Sequence, residues 1–349
     1  MEKNVMKKQL LALAIGSMVV APSVAMADKG PTVYGKVNVS YENQDRDRAS
    51  FSNDAWRLQS NASRLGVKGE LDLNIEDVVA VYQAEYQINV DDGGTPFSQR
   101  NIFGGFKHAN AGTLIAGNFD TPLKRAEMSV DQFNDTPGDI DFLMTGQLRA
   151  TNIIQYSTPK LADMLTLNVA FIPGEEFDDV ANPDANDGPA DAISASLTFQ
   201  KDIFYGAIAY DSETTTRTRG SSTPRRFVDS DGGAQDPQND ILRFVAGVNT
   251  SAFEAGFLYQ LAEGANNNME DTSYLVSGAF KTGNLKLKAQ YGLTEGDLTD
   301  EERSLWALGA DYKVGKNSKV YAFLTEVEED LSEDKDTTFG IGFDHKFSM

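Results

Sequence analysis

Thr32-Val33-Tyr34-Gly35-Lys36-Val37-Asn38-Val39-Ser40-Tyr41 places Val33, Gly35, Val37, Val39 and Tyr41 on one side of an extended chain. Tyr34, Lys36, Asn38 and Ser40 fall on the other. Side chains alternate across a strand with a period of two, so the stretch reads as a β-strand with one apolar and one polar face. About sixteen such stretches follow one another after residue 27, with almost nothing helical between them. Clean examples are Leu165, Leu167, Val169 and Phe171 against Thr166, Asn168 and Ala170, and Leu285, Leu287, Ala289 and Tyr291 against Lys286, Lys288 and Gln290. Phe339, Ile341, Phe343, His345 and Phe347 form the last face. A single alternating strand says only β; the whole series predicts a closed antiparallel barrel.

The N-terminus reads as an export signal. Lys3, Lys7 and Lys8 precede the apolar run Leu10 to Val20, and Ala25-Met26-Ala27 fits a small-x-small cleavage site. The expected division is a signal peptide, 1–27, and one barrel domain, 28–349. Cleavage would leave 322 residues with a net charge of −23, against −21 for the whole chain. Such acidity argues against nucleic acid as a partner and fits solvated, carboxylate-rich loops. The chain has no cysteine, so disulfides and Cys-based metal sites are excluded. Mean hydropathy is −0.37. That value is compatible with a membrane barrel, because only alternate residues face lipid and the loops are polar.

Connections alternate in length. Pro159–Met164, Gln200–Asp202, Thr250–Ser251, Thr282–Asn284 and Val314–Asn317 are short. Glu42–Ala55, Pro173–Ala190, Ser212–Asp240, Ala262–Asp271, Thr294–Arg303 and Val327–Asp336 are long and rich in Asp, Glu, Asn and Gly. Short turns at one end and long loops at the other mark a transmembrane barrel rather than a soluble sandwich. Two stretches resist simple parity. Trp56 and Leu58 are even while Leu65 and Val67 are odd, so a bulge or break lies between them. In Gln99–His108 the apolar residues fall on both faces.

One connection differs in kind. Between Phe119 and Arg149 there is no regular alternation, yet Leu123, Met128, Val130, Phe133, Ile140, Phe142, Leu143 and Met144 are apolar. A loop this long and this apolar needs a surface to pack on. The outside of a barrel offers none, so the loop is expected to fold inward against the wall.

The motifs resemble the trimeric general diffusion porins of Gram-negative outer membranes. Thr32-Val33-Tyr34-Gly35-Lys36 is similar to their first strand, and Ser63-Arg64-Leu65-Gly66-Val67-Lys68-Gly69-Glu70 to their second. Gly112-Thr113-Leu114-Ile115-Ala116-Gly117-Asn118-Phe119 and Asn152-Ile153-Ile154-Gln155-Tyr156-Ser157-Thr158-Pro159 resemble the strands that flank their inward-folded third loop. The order and spacing hold from about Pro31 to Phe347. Two departures stand out: Ser348-Met349 follow the terminal aromatic residue, and Asn118 replaces a common arginine.

The resemblance implies a sixteen-stranded, all-β transmembrane barrel in the outer membrane, assembled as a homotrimer among lipid and lipopolysaccharide. It implies passive diffusion of small hydrophilic solutes and ions, with no cofactor. It also implies a constriction where loop carboxylates Asp131, Asp135 and Asp139 face wall bases Lys36, Arg64, Arg100 and Arg149, with Lys124 and Arg125 as further candidates. Opposed charges across a narrow passage orient polar solutes and set ion preference. The acidic chain predicts preference for cations. Arg100, unlike the other bases, shares parity with the apolar Ile102 and Phe106.

Other readings are weaker. A channel selective for a sugar or an anion would need an aromatic track or an excess of bases. A structural or adhesive barrel would carry a plugged lumen, whereas the polar parity here is mostly small. An enzyme would need a base and its orienting partner; His108 and His345, the only histidines, show neither metal-ligand spacing nor triad context.

Overall fold

The computed structural model describes residues 30–48, 51–94, 96–174, 188–215, 238–264, 270–296, 302–330 and 333–349. The expected signal segment lies outside the described residues, as do the middles of several long loops. The strands are β1 (Thr32–Arg48), β2 (Phe51–Ser60), β3 (Arg64–Ile75), β4 (Val78–Ile88), β5 (Phe97–His108) and β6 (Gly112–Asp120). Beyond the long loop come β7 (Arg149–Ser157), β8 (Leu165–Ile172), β9 (Ala192–Lys201), β10 (Phe204–Thr215), β11 (Gln238–Asn249) and β12 (Phe253–Gly264). The last are β13 (Glu270–Thr282), β14 (Leu285–Gly296), β15 (Glu302–Lys313), β16 (Ser318–Glu329) and β17 (Asp334–Ser348).

All neighbours pair antiparallel, and β1 pairs with β17, which closes the sheet. Strands β2 and β3 share one place in the wall. The upper part of β1 pairs with β2, from Arg48↔Phe51 to Val39↔Ser60, and its lower part pairs with β3, starting at Lys36↔Arg64. The seventeen segments therefore make a closed sixteen-stranded barrel, with no free edge for aberrant pairing.

The break between β2 and β3 explains the parity switch between Leu58 and Leu65. Asn61, Ala62 and Ser63 span an interval that Val37 and Asn38 span in β1. One extra residue inverts which face every later side chain takes. Ala62 adopts φ 50°, and polar side chains patch the ladder: Ser63 Oγ accepts from the Asn38 amide at 2.9 Å, and Asn38 Nδ2 donates to the Asn61 carbonyl at 3.0 Å.

A second bulge lies between Ala84 and Tyr86, where Glu85 faces both Arg100 and Asn101. Beyond it, the mixed faces of Gln99–His108 arise because Phe103 packs on the buried cluster of Ile115, Phe119 and Ile153 while Phe106 is exposed. The expected connection Glu42–Ala55 is mostly strand, because β1 and β2 continue as a hairpin. Both of its faces are polar there, so alternation no longer reported the strand.

Outward positions form an apolar band, including Phe257, Val276, Tyr291, Leu308 and Ile341, all exposed in the isolated chain. Such a band suits lipid. The inner face is polar along much of the wall but apolar over β10 to β16, where Tyr205, Ile241, Val245, Leu258, Leu275, Leu305 and Phe323 are buried. The expectation of a small, polar lumen fails on this side because a loop covers it.

Candidate functional site: the inward loop and the charged wall

The covering element is residues 121–148. Its first turn, α1 (Pro122–Arg125), starts where Thr121 Oγ1 accepts from the Lys124 amide at 3.3 Å, and Pro122 fits the first helical turn because its missing N–H has no partner to lose. Two aspartates shape the loop from within. Asp131 accepts from the amides of Phe133 at 2.8 Å and Ile140 at 3.3 Å, tying the two arms together. Asp139 caps the 3-10 turn Ile140–Phe142, accepting from the Asp141 amide at 2.8 Å and, through its other oxygen, from Asp135 N–H at 2.8 Å.

The apolar residues of the loop pack into the wall. Leu123, Ala126, Val130, Ile140, Leu143 and Met144 join Tyr205, Ile241, Val245, Leu258, Leu275 and Leu305 in one buried cluster. Phe133 joins Ala307, Tyr321 and Phe323 in another. Burial of each large apolar side chain stabilises docking by about 1.5–3 kcal/mol. Inward-facing glycines make room: a Cβ on Gly292 would lie 2.2 Å from Leu143, and one on Gly309 would lie 2.9 Å from Phe133.

Wall polar groups then satisfy the loop backbone, as burial requires. Gln290 Nε2 donates to the Gly138 carbonyl at 3.0 Å while its Oε1 accepts from the Gln132 amide at 2.9 Å. Lys288 Nζ donates to the Gln132 carbonyl at 2.8 Å, and Thr294 Oγ1 to that of Leu143 at 3.1 Å. Fully buried Arg243 donates to the Leu123 and Thr145 carbonyls at 3.2 and 3.1 Å and to Gln260 Oε1 at 2.6 Å. One guanidinium thus holds both arms of the loop.

The opposite side of the loop faces β1 and β3 to β7, where the charges meet. Asp135 Oδ2 accepts from Lys36 Nζ at 2.6 Å and Arg64 Nη2 at 2.7 Å. Arg100 Nε donates to Glu85 Oε1 at 2.8 Å. Arg149 Nη2 lies 2.9 Å and Lys124 Nζ 3.3 Å from Asp120 Oδ1. All four bases named from the sequence point inward, Arg100 because the bulge at Glu85 turns it and Asn101 to the same side.

Of the three loop acids, Asp135 alone meets these bases; Asp131 and Asp139 serve the loop's own backbone. Glu85 and Asp120 are wall acids that sequence reasoning missed. The run Gln83, Glu85, Gln87 against Ala84 and Tyr86 carries the signal for Glu85.

The electrostatic settings differ accordingly. Burial alone would raise the Asp135 carboxyl, but Lys36 and Arg64 outweigh it and hold the group well below the usual range. Burial, together with Asp139 and Glu127, pushes Asp131 well up. Burial and Asp141 lift Asp139 to about 6. Burial lifts Glu127 to about 7.

The histidines have local partners. His108 Nδ1 accepts from the amides of Asn110 and Ala111 at 3.1 and 3.2 Å, and His345 Nδ1 pairs with Ser318 Oγ at 2.7 Å.

The family described as Gram-negative porin matches residues 12–332. No curated protein matches. Among solved structures, an anion-selective porin from Comamonas acidovorans is similar at 17% identity and TM-score 0.72, covering 91% of this chain and 99% of that one. OmpF of Salmonella typhi, in complex with daunomycin, is similar at 16% identity and TM-score 0.67, covering 91% and 97%. OmpT, an outer membrane protein of Vibrio cholerae, is similar at 16% identity and TM-score 0.64, covering 93% and 100%. Closed barrel, inward loop and matched length agree: this chain belongs to the Gram-negative porin family and is an outer-membrane channel.

Proposed function

We propose that the chain, after removal of residues 1–27, forms a homotrimeric channel in the outer membrane for passive diffusion of small hydrophilic solutes and ions. The observation that carries this reading is the docked loop, whose charged tip reaches the basic wall inside the barrel. The narrowest passage in this reading runs between Asp135, Asp120 and Glu85 and the bases Lys36, Arg64, Arg100, Arg149 and Lys124. Asp131 and Asp139 support it from within the loop.

Ion preference follows from two opposed regions. The acidic chain concentrates cations at the mouths and favours them in dilute salt. The passage itself holds more bases than acids and favours anions once the mouths are screened. Planar bilayers test the channel: three equal closing steps per insertion are expected, and liposomes should swell in small sugars. Liposomes that carry folded protein yet remain impermeable would refute the reading.

A further inference from the structure

On the short-turn side of the loop the lumen holds a cavity of about 320 Å³. Two repeated units of charge border it. Glu254 accepts from Lys281 at 2.5 Å and Lys286 at 2.8 Å; Asp311 lies 2.7 Å from Lys319 and 3.5 Å from Lys288. In each unit one carboxylate is shared by two ammoniums, so each retains a net positive charge. The units sit side by side on the inner face, since Asp311 is the cross-strand partner of Lys286. Elsewhere in the cavity lining stand Asp344, Lys36, which is held by Asp135, and Asp131, whose two oxygens are turned to the Phe133 and Ile140 amides.

Lys288 is committed to the loop, donating to the Gln132 carbonyl with its side chain only 8% exposed. Lys286 and Lys319 remain wet, at 29% and 34%. Each ammonium has three donors, so hydrogens remain for a solute. A volume near 300 Å³ is at the lower end of small-ligand pockets.

The geometry points to a second filter, separate from the constriction: a subsite for a small dianion of the phosphate class, bridged between Lys286 and Lys319. Compact point charges on flexible stems suit phosphate oxygens. The dianion would dwell there before or after crossing the loop. This rests on the channel reading.

The test is single-channel chloride current with inorganic phosphate added to one side, at a pH where the dianion dominates. Saturable block is expected, stronger from the short-turn side. Lys286→Gln with Lys319→Gln should raise the half-blocking concentration by about fivefold or more, the size expected from removing two partly hydrated charge contacts. Arg64→Gln with Arg149→Gln should retain the block, whatever happens to ion preference, because neither arginine lines the cavity. Conducting channels in which phosphate acts equally on wild type and Lys286/Lys319 variant would overturn the subsite alone. Folded wild-type protein that never conducts would overturn the channel reading instead.

Discussion

Asp135 and Asp139 stand four residues apart in one loop, yet their carboxyl groups face opposite demands. Asp135 is clamped by Lys36 and Arg64 and stays ionised well into acid. Asp139 is buried among other acids and rises to about 6, with Glu127 rising to about 7. The sign follows from these shifts. Above about pH 8 both raised groups are charged, and below about 5 both are neutral, so the loop loses negative charge as pH falls. The permeability ratio should then move toward anions between about pH 8 and 5, with the coupled acids titrating as a set. Glu127→Gln with Asp139→Asn should flatten that change, whereas Asp135→Asn should keep it while shifting the whole curve toward anions. Reversal potentials at stepped pH would check both; an unaltered pH dependence in the double variant would remove these groups from the filter. Linkage adds a second consequence. Between the ordinary carboxylate value of about 4 and the raised value of about 6, the folded loop holds a proton the unfolded chain has lost. Docking therefore weakens as pH rises through that window, and Glu127 carries the weakening on to about 7.

Loop and wall are complementary elements, and only one of them was legible in the sequence. Leu123, Val130, Phe133, Ile140 and Leu143 stood out because no alternation explained them and a long loop must bury such residues somewhere. The receiving wall gave no comparable sign. Ile241, Val245, Leu258 and Leu275 interleave with outward apolar residues, so β11, β12 and β13 are partly apolar on both faces and the period-two signal blurs. The glycine sockets were invisible for another reason: a missing side chain has meaning only once its neighbour is known. Asp131 and Asp139 were found by motif, but spacing could not show that their oxygens also accept from the loop's own amides. Gly292→Val tests the element-scale account. Its added atoms would collide with Leu143 and push the loop off the wall, giving noisier, larger unit currents in a barrel that still forms. Leu143→Ala alone should loosen docking by about 2–5 kcal/mol. Combined with Gly292→Val it should do less harm than the two separate effects predict, because the larger residue refills the vacated space. Strict additivity in open-channel noise would mean the two residues do not meet.

At the scale of the molecule, charge is distributed unevenly between the connecting segments of the sequence and the inward wall. The connection 175–187 carries Glu175, Glu176, Asp178, Asp179, Asp184 and Asp187 with no base, while the passage inside offers Lys36, Arg64, Arg100, Arg149 and Lys124 against three acids. These regions differ in how salt reaches them. Fields from hydrated loops extend about 30 Å at 0.01 M salt and about 3 Å at 1 M, whereas charges paired within a narrow passage are screened much less. The net charge of the chain should therefore govern selectivity only in dilute salt. Reversal potentials under a fixed concentration ratio should report cation preference near 0.01 M and move toward anions near 1 M. Reducing the acids of 175–187 to their amides should abolish the dilute-salt preference and leave the concentrated-salt value in place. A preference independent of salt would locate all of the selecting charge inside the passage, and the acidic loops would then serve solvation alone.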